Sequence, residues 1–193
     1  MGADLMKAAL EKMYGFPIIA AAKDERQLRL ALDSDSQIIF LLFGDICSIE
    51  NLVQQVKNEK KTVIVHIDLV DGLSSREIAV RFIRQHTAAD GIISTKSNLI
   101  KEARALGLLT VRRIFLLDSL ALETASKTLA QQPADFVEIL PGTMPKMIRK
   151  VTASTKTPII AGGMISDKED VIGALSAGAT AISTSNPALW RAD

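Results

Sequence analysis

Residues 158–185 read PIIAGGMISDKEDVIGALSAGATAISTS. A short apolar run, Pro158-Gly163, leads through a polar start into a helical stretch that stops at Gly178, and a second apolar run, Ala181-Ser185, follows. Ser166 and Glu169 have the spacing of a capping box, in which side chains satisfy the unpaired amides that open a helix. Gly178 sits where a left-handed residue would end that helix, a conformation that a Cβ disfavours. The stretch reads strand, helix, strand. A helical crossover of this kind joins parallel strands, almost always in the right-handed sense.

The same alternation extends over the rest of the chain. The other apolar runs are Phe16-Ala22, Ile38-Gly44, Thr62-Asp68, Gly91-Thr95, Thr110-Leu117 and Phe136-Leu140. Asp24 with Gln27 and Ser74 with Glu77 repeat the capping spacing, and Gly107 repeats the glycine stop. Eight strands alternating with helices predict an α/β fold, a compact (β/α)₈ barrel, as one domain spanning residues 1–193. At 193 residues the chain lies just under the usual floor of about 200 for this fold, so something is shortened. Only Asn186-Pro187-Ala188-Leu189-Trp190 and a short tail follow the last strand, so the eighth helix is reduced to a turn or so. Residues 1–14, with Leu5, Met6, Ala9, Leu10 and Met13 on one face, predict an amphipathic helix across the bottom of the barrel. A doubly wound open sheet is the alternative arrangement of the same pattern.

Composition agrees with strands buried on both faces. Apolar residues make up 48% of the chain and aromatics only 4%, so the core is aliphatic. The net charge of +1 carries no bulk basic excess, so any nucleic-acid surface must be a local patch. The single cysteine, Cys47, excludes an intramolecular disulfide and suits a reducing compartment; it reads as a packing residue or as a reactive thiol. No apolar run approaches the ~18 residues of a membrane span, and Asp4, Lys7, Glu11 and Lys12 interrupt any signal-like segment. A cytoplasmic protein without a membrane partner is the expectation.

In this fold, sites lie at the C-terminal ends of the strands, often with a phosphate held by the loops after the last two. Gly162 and Gly163 end the seventh strand, and their backbone amides can approach an anion closely. Ser183-Thr184-Ser185 end the eighth and add hydroxyls, so Gly162, Gly163, Thr184 and Ser185 form the candidate phosphate site. The other reading is a tight turn and an ordinary helix cap.

The remaining strand ends supply the rest of the candidate pocket. His66 and Asp68, one residue apart on the third strand, predict side chains on one face. With Glu138 they are a possible metal set, although a role for Asp68 as acceptor of ligand hydroxyls fits better. Lys96, at the end of the fourth strand, can pair with a phosphate, form a Schiff base or cap a helix in solvent. Arg112 and Arg113 face opposite sides of the fifth strand. The inward one, expected to be Arg113, needs a partner, and Glu138 on the adjacent strand is the natural candidate. Thr143 is expected to cap the next helix, on which Lys146, Arg149 and Lys150, with Lys156 beyond, form the densest basic face.

The strings His66-Ile67-Asp68-Leu69, Asp90-Gly91-Ile92-Ile93-Ser94-Thr95-Lys96, Glu138-Ile139-Leu140-Pro141-Gly142, Ile160-Ala161-Gly162-Gly163 and Ser183-Thr184-Ser185, with the final Leu189-Trp190, resemble the glycerol uptake operon antiterminator family. The likeness runs in unbroken order from about Gly15 to Trp190; the first dozen residues and the Arg191-Ala192-Asp193 tail lie outside it. The resemblance implies a (β/α)₈ barrel in a cytoplasmic regulator with glycerol 3-phosphate as effector and no cofactor. It further implies binding to the leader mRNA of glycerol-utilisation genes, so that transcription reads past a terminator, and it favours Arg113 over Arg112 as the functional arginine. Few aromatics are free to stack on bases, so an RNA grip would come from Lys146, Arg149 and Lys150 and be sensitive to salt. Ligand-dependent ordering of the top loops, through a homodimer or within one chain, would link the two activities. Two alternatives stay open: an isomerase, aldolase or synthase acting on a small phosphorylated substrate, and a metal-dependent hydrolase using His66, Asp68 and Glu138.

Overall fold

The computed structural model describes residues 2–118, 121 and 134–192. Eight parallel strands close in chain order into a barrel. They are β1 (Ile18–Ala22), β2 (Ile38–Leu41), β3 (Thr62–His66), β4 (Gly91–Ser94), β5 (Leu109–Phe115), β6 (Phe136–Leu140), β7 (Ile159–Gly162) and β8 (Ala181–Thr184). Pairing of Ile18, Ile19 and Ala20 with Ile182, Ser183 and Thr184 closes the ring and excludes the open sheet. The helices are α1 (Gly2–Gly15), α2 (Glu25–Leu32), α3 (Ile49–Asn58), α4 (Glu77–His86), α5 (Ser97–Ala105), α6 (Pro145–Ser154) and α7 (Lys168–Ser176). The connection from β5 to β6 lies mostly outside the described residues. After β8 the chain makes one short 3-10 turn, Pro187–Leu189, which is the reduced last helix.

Period-two alternation along each strand builds two cores. Outward residues such as Ile39, Val63, Ile92 and Val137 pack on the helices, while inward residues such as Phe40, Ile64, Val111 and Phe136 fill the barrel. Ala9 and Met13 of α1 join the inner cluster, with Leu5, Met6 and Leu10 against it, so α1 plugs the barrel as its apolar spacing predicts. Lys12 Nζ donates to Thr62 Oγ1, at the start of β3, at 2.7 Å and fastens that plug.

The inner face changes character along the strands. Ile64 gives way to His66, Val111 to Arg113, Phe136 to Glu138, Ile160 to Gly162 and Ala181 to Ser183. The N-terminal half is therefore a sealed apolar core and the polar residues collect at the C-terminal mouth. Buried polar groups need partners, so this gradient locates the chemistry.

Helix starts follow the sequence in part. Asp24 accepts from the Gln27 amide at 2.7 Å while Gln27 Oε1 accepts from the Lys23 amide at 2.9 Å, a reciprocal cap. At α7 the cap is Asp167, which accepts from the Asp170 amide at 2.9 Å, and Asp170 reaches back to the Ser166 amide. A carboxylate is the stronger acceptor, so the box lies one residue beyond Ser166-Glu169. At α4 Ser74 receives only a 3.4 Å bond from the Arg76 amide, and Arg76 holds the cap position without a side-chain bond. Likewise Met144, not Thr143, precedes α6, where Pro145 opens the first turn with its preset φ and absent N–H. Gly107 and Gly178 end their helices at φ of 74° and 101°, as expected.

Candidate functional site

The floor of the mouth is a buried ion pair. Register places Arg113 beside Glu138, and Arg113 Nε donates to Glu138 Oε2 at 2.6 Å. The hydroxyl of Ser183 donates to the other oxygen, Oε1. The Glu138 side chain is only 1% exposed and that of Arg113 only 11% exposed, so bulk water screens the pair little. Gly162 lies alongside. A Cβ there would come within 2.7 Å of Glu138 Oε1 and closer still to Ser183 Oγ. The absent side chain of Gly162 thus accommodates the floor.

Above this floor opens a cavity of about 400 Å³ lined by Arg113, Glu138 and Ser183 at depth, by Ala21, Leu42, Leu140 and Ile165, and by Lys23, Gly163, Met164, Ser166, Thr184 and Ser185. Its size falls in the ~300–1,000 Å³ range of small-molecule sites. Gly163 (φ 74°) and Met164 (φ 63°) are successive left-handed residues that turn the chain sharply after β7. No hydrogen bond among the described residues engages the amides of Gly163, Met164 or Ser185.

Hydrogen bonds tie the loops at this corner to one another. Thr184 Oγ1 donates to the Ile165 carbonyl at 3.0 Å and Asn186 Nδ2 to the Ser166 carbonyl at 2.7 Å. Trp190, the only tryptophan, donates from Nε1 to the Thr184 carbonyl at 2.9 Å, and the Gly142 amide donates to the Gly163 carbonyl at 3.0 Å. The Thr184 hydroxyl hydrogen is therefore committed to protein, although Thr184 belongs to the cavity wall.

Asp68 and Lys96 meet each other and do not line that cavity. β3 stops at His66, and a 3-10 turn over Ile67–Leu69 carries Asp68 toward the end of β4 instead of along the face of His66. Its carboxylate accepts from the Ser94 hydroxyl at 3.0 Å, the Thr95 amide at 2.8 Å and Lys96 Nζ at 3.3 Å. Lys96 Nζ also donates to Ser75 Oγ at 2.7 Å. Burial raises the Asp68 pKa, but the Thr95 amide, the Ser94 hydroxyl, Lys96 and His66 together hold it below the ordinary carboxylate value. His66, Asp68 and Glu138 do not converge as a ligand set, and no group of three or more metal-ligating side chains occurs among the described residues.

His66 is buried, and its Nδ1 has no hydrogen-bond partner. Burial, and then the Arg113 charge, push its pKa down to about 4 against the opposing pull of Asp68. The folded protein therefore resists protonating a ring that the unfolded chain protonates below about pH 6.5. The contribution of this ring to stability is expected to be full above pH 6.5 and to be lost as pH drops from there to 4, by about 3 kcal/mol in all. Urea unfolding between pH 7.5 and 4.5 checks this, with His66→Gln expected to flatten the slope over that window.

Lys146, Arg149 and Lys150 are exposed along α6, and Lys156 follows it. The helix contains no acidic residue. None of these four cations is in an ion pair among the described residues, whereas exposed Arg29 and Arg81 are paired with Glu25 and Glu102. The structure thus brings Gly163, Thr184, Ser185, Arg113 and Glu138 to one cavity, with Gly162 supporting it and Asp68 and Lys96 beside β4. Lys23 joins them in the lining, outside the residues to which the strand ends point. Its signal is a lysine directly after the first apolar run, the same position at β1 that Lys96 nearly holds at β4.

A model of the glycerol-3-phosphate responsive antiterminator family matches residues 18–190. Among solved structures, the glycerol uptake operon antiterminator regulatory protein of Listeria monocytogenes is similar at 33% identity and a TM-score of 0.87, covering 91% of this chain and 95% of that one. A glycerol uptake operon antiterminator-related protein of Thermotoga maritima is 34% identical with a TM-score of 0.80, covering 90% and 96%. An uncharacterised Escherichia coli (strain K12) protein, YgcP, is 45% identical over 174 residues, covering 90% of this chain and 91% of that protein.

Proposed function

Because this chain belongs to the glycerol-3-phosphate responsive antiterminator family, we propose that its mouth cavity holds the effector and that α6 grips leader mRNA. The carrying observation is one cavity of about 400 Å³ lined both by Gly163, Met164 and Ser185, whose amides have no hydrogen bond among the described residues, and by Glu138. Glycerol 3-phosphate matches both groups, with its phosphate on the amides near Lys23 and its hydroxyls toward Glu138 and Ser183. The protein acts by binding, without turnover. Lys96, the Schiff-base candidate of the enzyme reading, is engaged with Asp68 and Ser75 outside the cavity. The cytoplasm is its place of work, and no helix among the described residues is long and apolar enough to cross a membrane.

Lys146, Arg149 and Lys150 contact RNA phosphates, and Asp68 with Lys96 shapes the mouth near β4. The Gly142–Gly163 bond joins the loop that leads into α6 to the phosphate corner, so order imposed by the effector on Gly163 passes toward the basic face. A ligand favours the RNA-competent state only by binding it more tightly, whether within one chain or in a homodimer. The test is anisotropy binding of leader RNA with and without glycerol 3-phosphate. The combined variant Lys146→Glu/Arg149→Glu/Lys150→Glu is expected to weaken RNA binding at least tenfold and to cut the log–log salt slope by about three, with the effector-induced thermal shift unchanged. RNA affinity indifferent to glycerol 3-phosphate would remove the switch, and unchanged affinity in the variant would remove α6 from the interface.

A further inference from the structure

We infer that the cavity floor selects the uncharged, hydroxyl-bearing end of a phosphate monoester and rejects any ligand with a second anionic group; the inference rests on the effector site described above. The residue that makes the distinction is Glu138.

The floor has one cation and one anion, and they neutralise each other. Arg113 Nε is given to Glu138 Oε2 at 2.6 Å, and Ser183 is given to Oε1. Lys23, the other cation of the lining, is exposed, as a rim residue is, while Glu138 and Ser183 are buried. A carboxylate or second phosphate reaching the floor would place two anions against one buried cation. In surroundings this poorly screened, that repulsion is large.

A hydroxyl meets the opposite reception. An ionised carboxylate accepts at about four positions, and only two on Glu138 are used by Arg113 and Ser183. Ser183, whose hydrogen points to Glu138, also keeps a free lone pair. The floor thus offers these acceptors to a donor beside the Arg113 guanidinium, of which only Nε is used, and Gly162 leaves room for Glu138 and Ser183 to stand there, since a Cβ would collide with both. Apolar Leu42 and Leu140 in the same lining suit a short carbon chain between the two ends. The phosphate itself is barred from the floor by the same charge, so the ligand binds tail first. The class selected is a monophosphorylated polyol, and the classes refused are phosphorylated acids and bisphosphates.

Calorimetric titration of the full chain with glycerol 3-phosphate, propyl phosphate and 3-phosphoglycerate decides it. Propyl phosphate, which brings no hydroxyl, is expected to bind roughly tenfold more weakly than glycerol 3-phosphate, and 3-phosphoglycerate roughly a hundredfold more weakly. Glu138→Gln is expected to shrink the penalty on 3-phosphoglycerate to within about tenfold of glycerol 3-phosphate. Should that variant not fold, Ser183→Ala is the substitute, expected to weaken glycerol 3-phosphate while leaving propyl phosphate unchanged. Equal affinity of the wild-type protein for glycerol 3-phosphate and 3-phosphoglycerate overturns the inference and leaves the effector site standing. Failure to bind any of the three esters overturns the effector site, and the inference with it.

Discussion

Replacing Arg113 with methionine is expected to cost about 3–5 kcal/mol of folding stability, because the Glu138 carboxylate is then left buried without its cation. The pair is held at 2.6 Å between adjacent strands, and Glu138 retains only the Ser183 hydroxyl once Arg113 is gone. Urea unfolding at pH 7.5 measures the loss. The double variant Arg113→Met/Glu138→Gln removes both charges and is expected to recover most of it, since a neutral pair of similar volume carries little desolvation penalty. A single variant as stable as the wild type would mean that the pair is solvated and that the floor is not the low-dielectric site described. The cycle also separates fold from function, as the double variant should fold and still lose its preference for a hydroxyl-bearing tail.

The second large effect concerns the rim. Gly163→Glu is expected to weaken glycerol 3-phosphate by about a thousandfold, because it adds a carboxylate where the dianion rests. Part of any change at this position is conformational. Gly163 has φ of 74°, and a Cβ there would lie 3.0 Å from Leu140 Cδ2. Gly163→Ala is the control: it carries the left-handed strain, roughly 1–2 kcal/mol, without the charge. The glycerol 3-phosphate-induced rise in melting temperature should survive, reduced, in the alanine variant and vanish in the glutamate variant. Retention of the full rise in both would place the phosphate elsewhere in the mouth.

Both effects depend on features of unequal visibility in the sequence. Arg113 and Glu138 could be paired in advance because each is a charge inside an apolar strand of known neighbours, and a buried charge requires a partner. Gly163 and Ser185 were equally accessible through their position at the ends of the last two strands. The sequence points to the amide of Gly162, whereas the room that its missing Cβ leaves for Glu138 and Ser183 depends on how far β7 stands from β6 and β8. Strand periodicity points Asp68 inward, but β3 ends two residues earlier and the 3-10 turn carries its carboxylate to Thr95 and Lys96. The caps at α6 and α7 lie elsewhere for local reasons of proline geometry and acceptor strength, while at α4 the Ser74 hydroxyl receives only the Arg76 amide, at 3.4 Å.

The sequence by itself determined the order of eight strands, the plugging role of α1, the reduced last helix, and the end of the barrel where polar residues gather. Those properties follow from period-two and period-3.6 patterns and from glycine stops, all of which are local along the chain. Only the tertiary structure decided which polar groups share a cavity. It joined Lys23 of the first unit to Ser185 of the last, set Ser183 on Glu138, and turned Asp68 away toward Lys96. Such meetings depend on strand register and closure, which arise from packing of the whole barrel and leave no mark in any short stretch of residues.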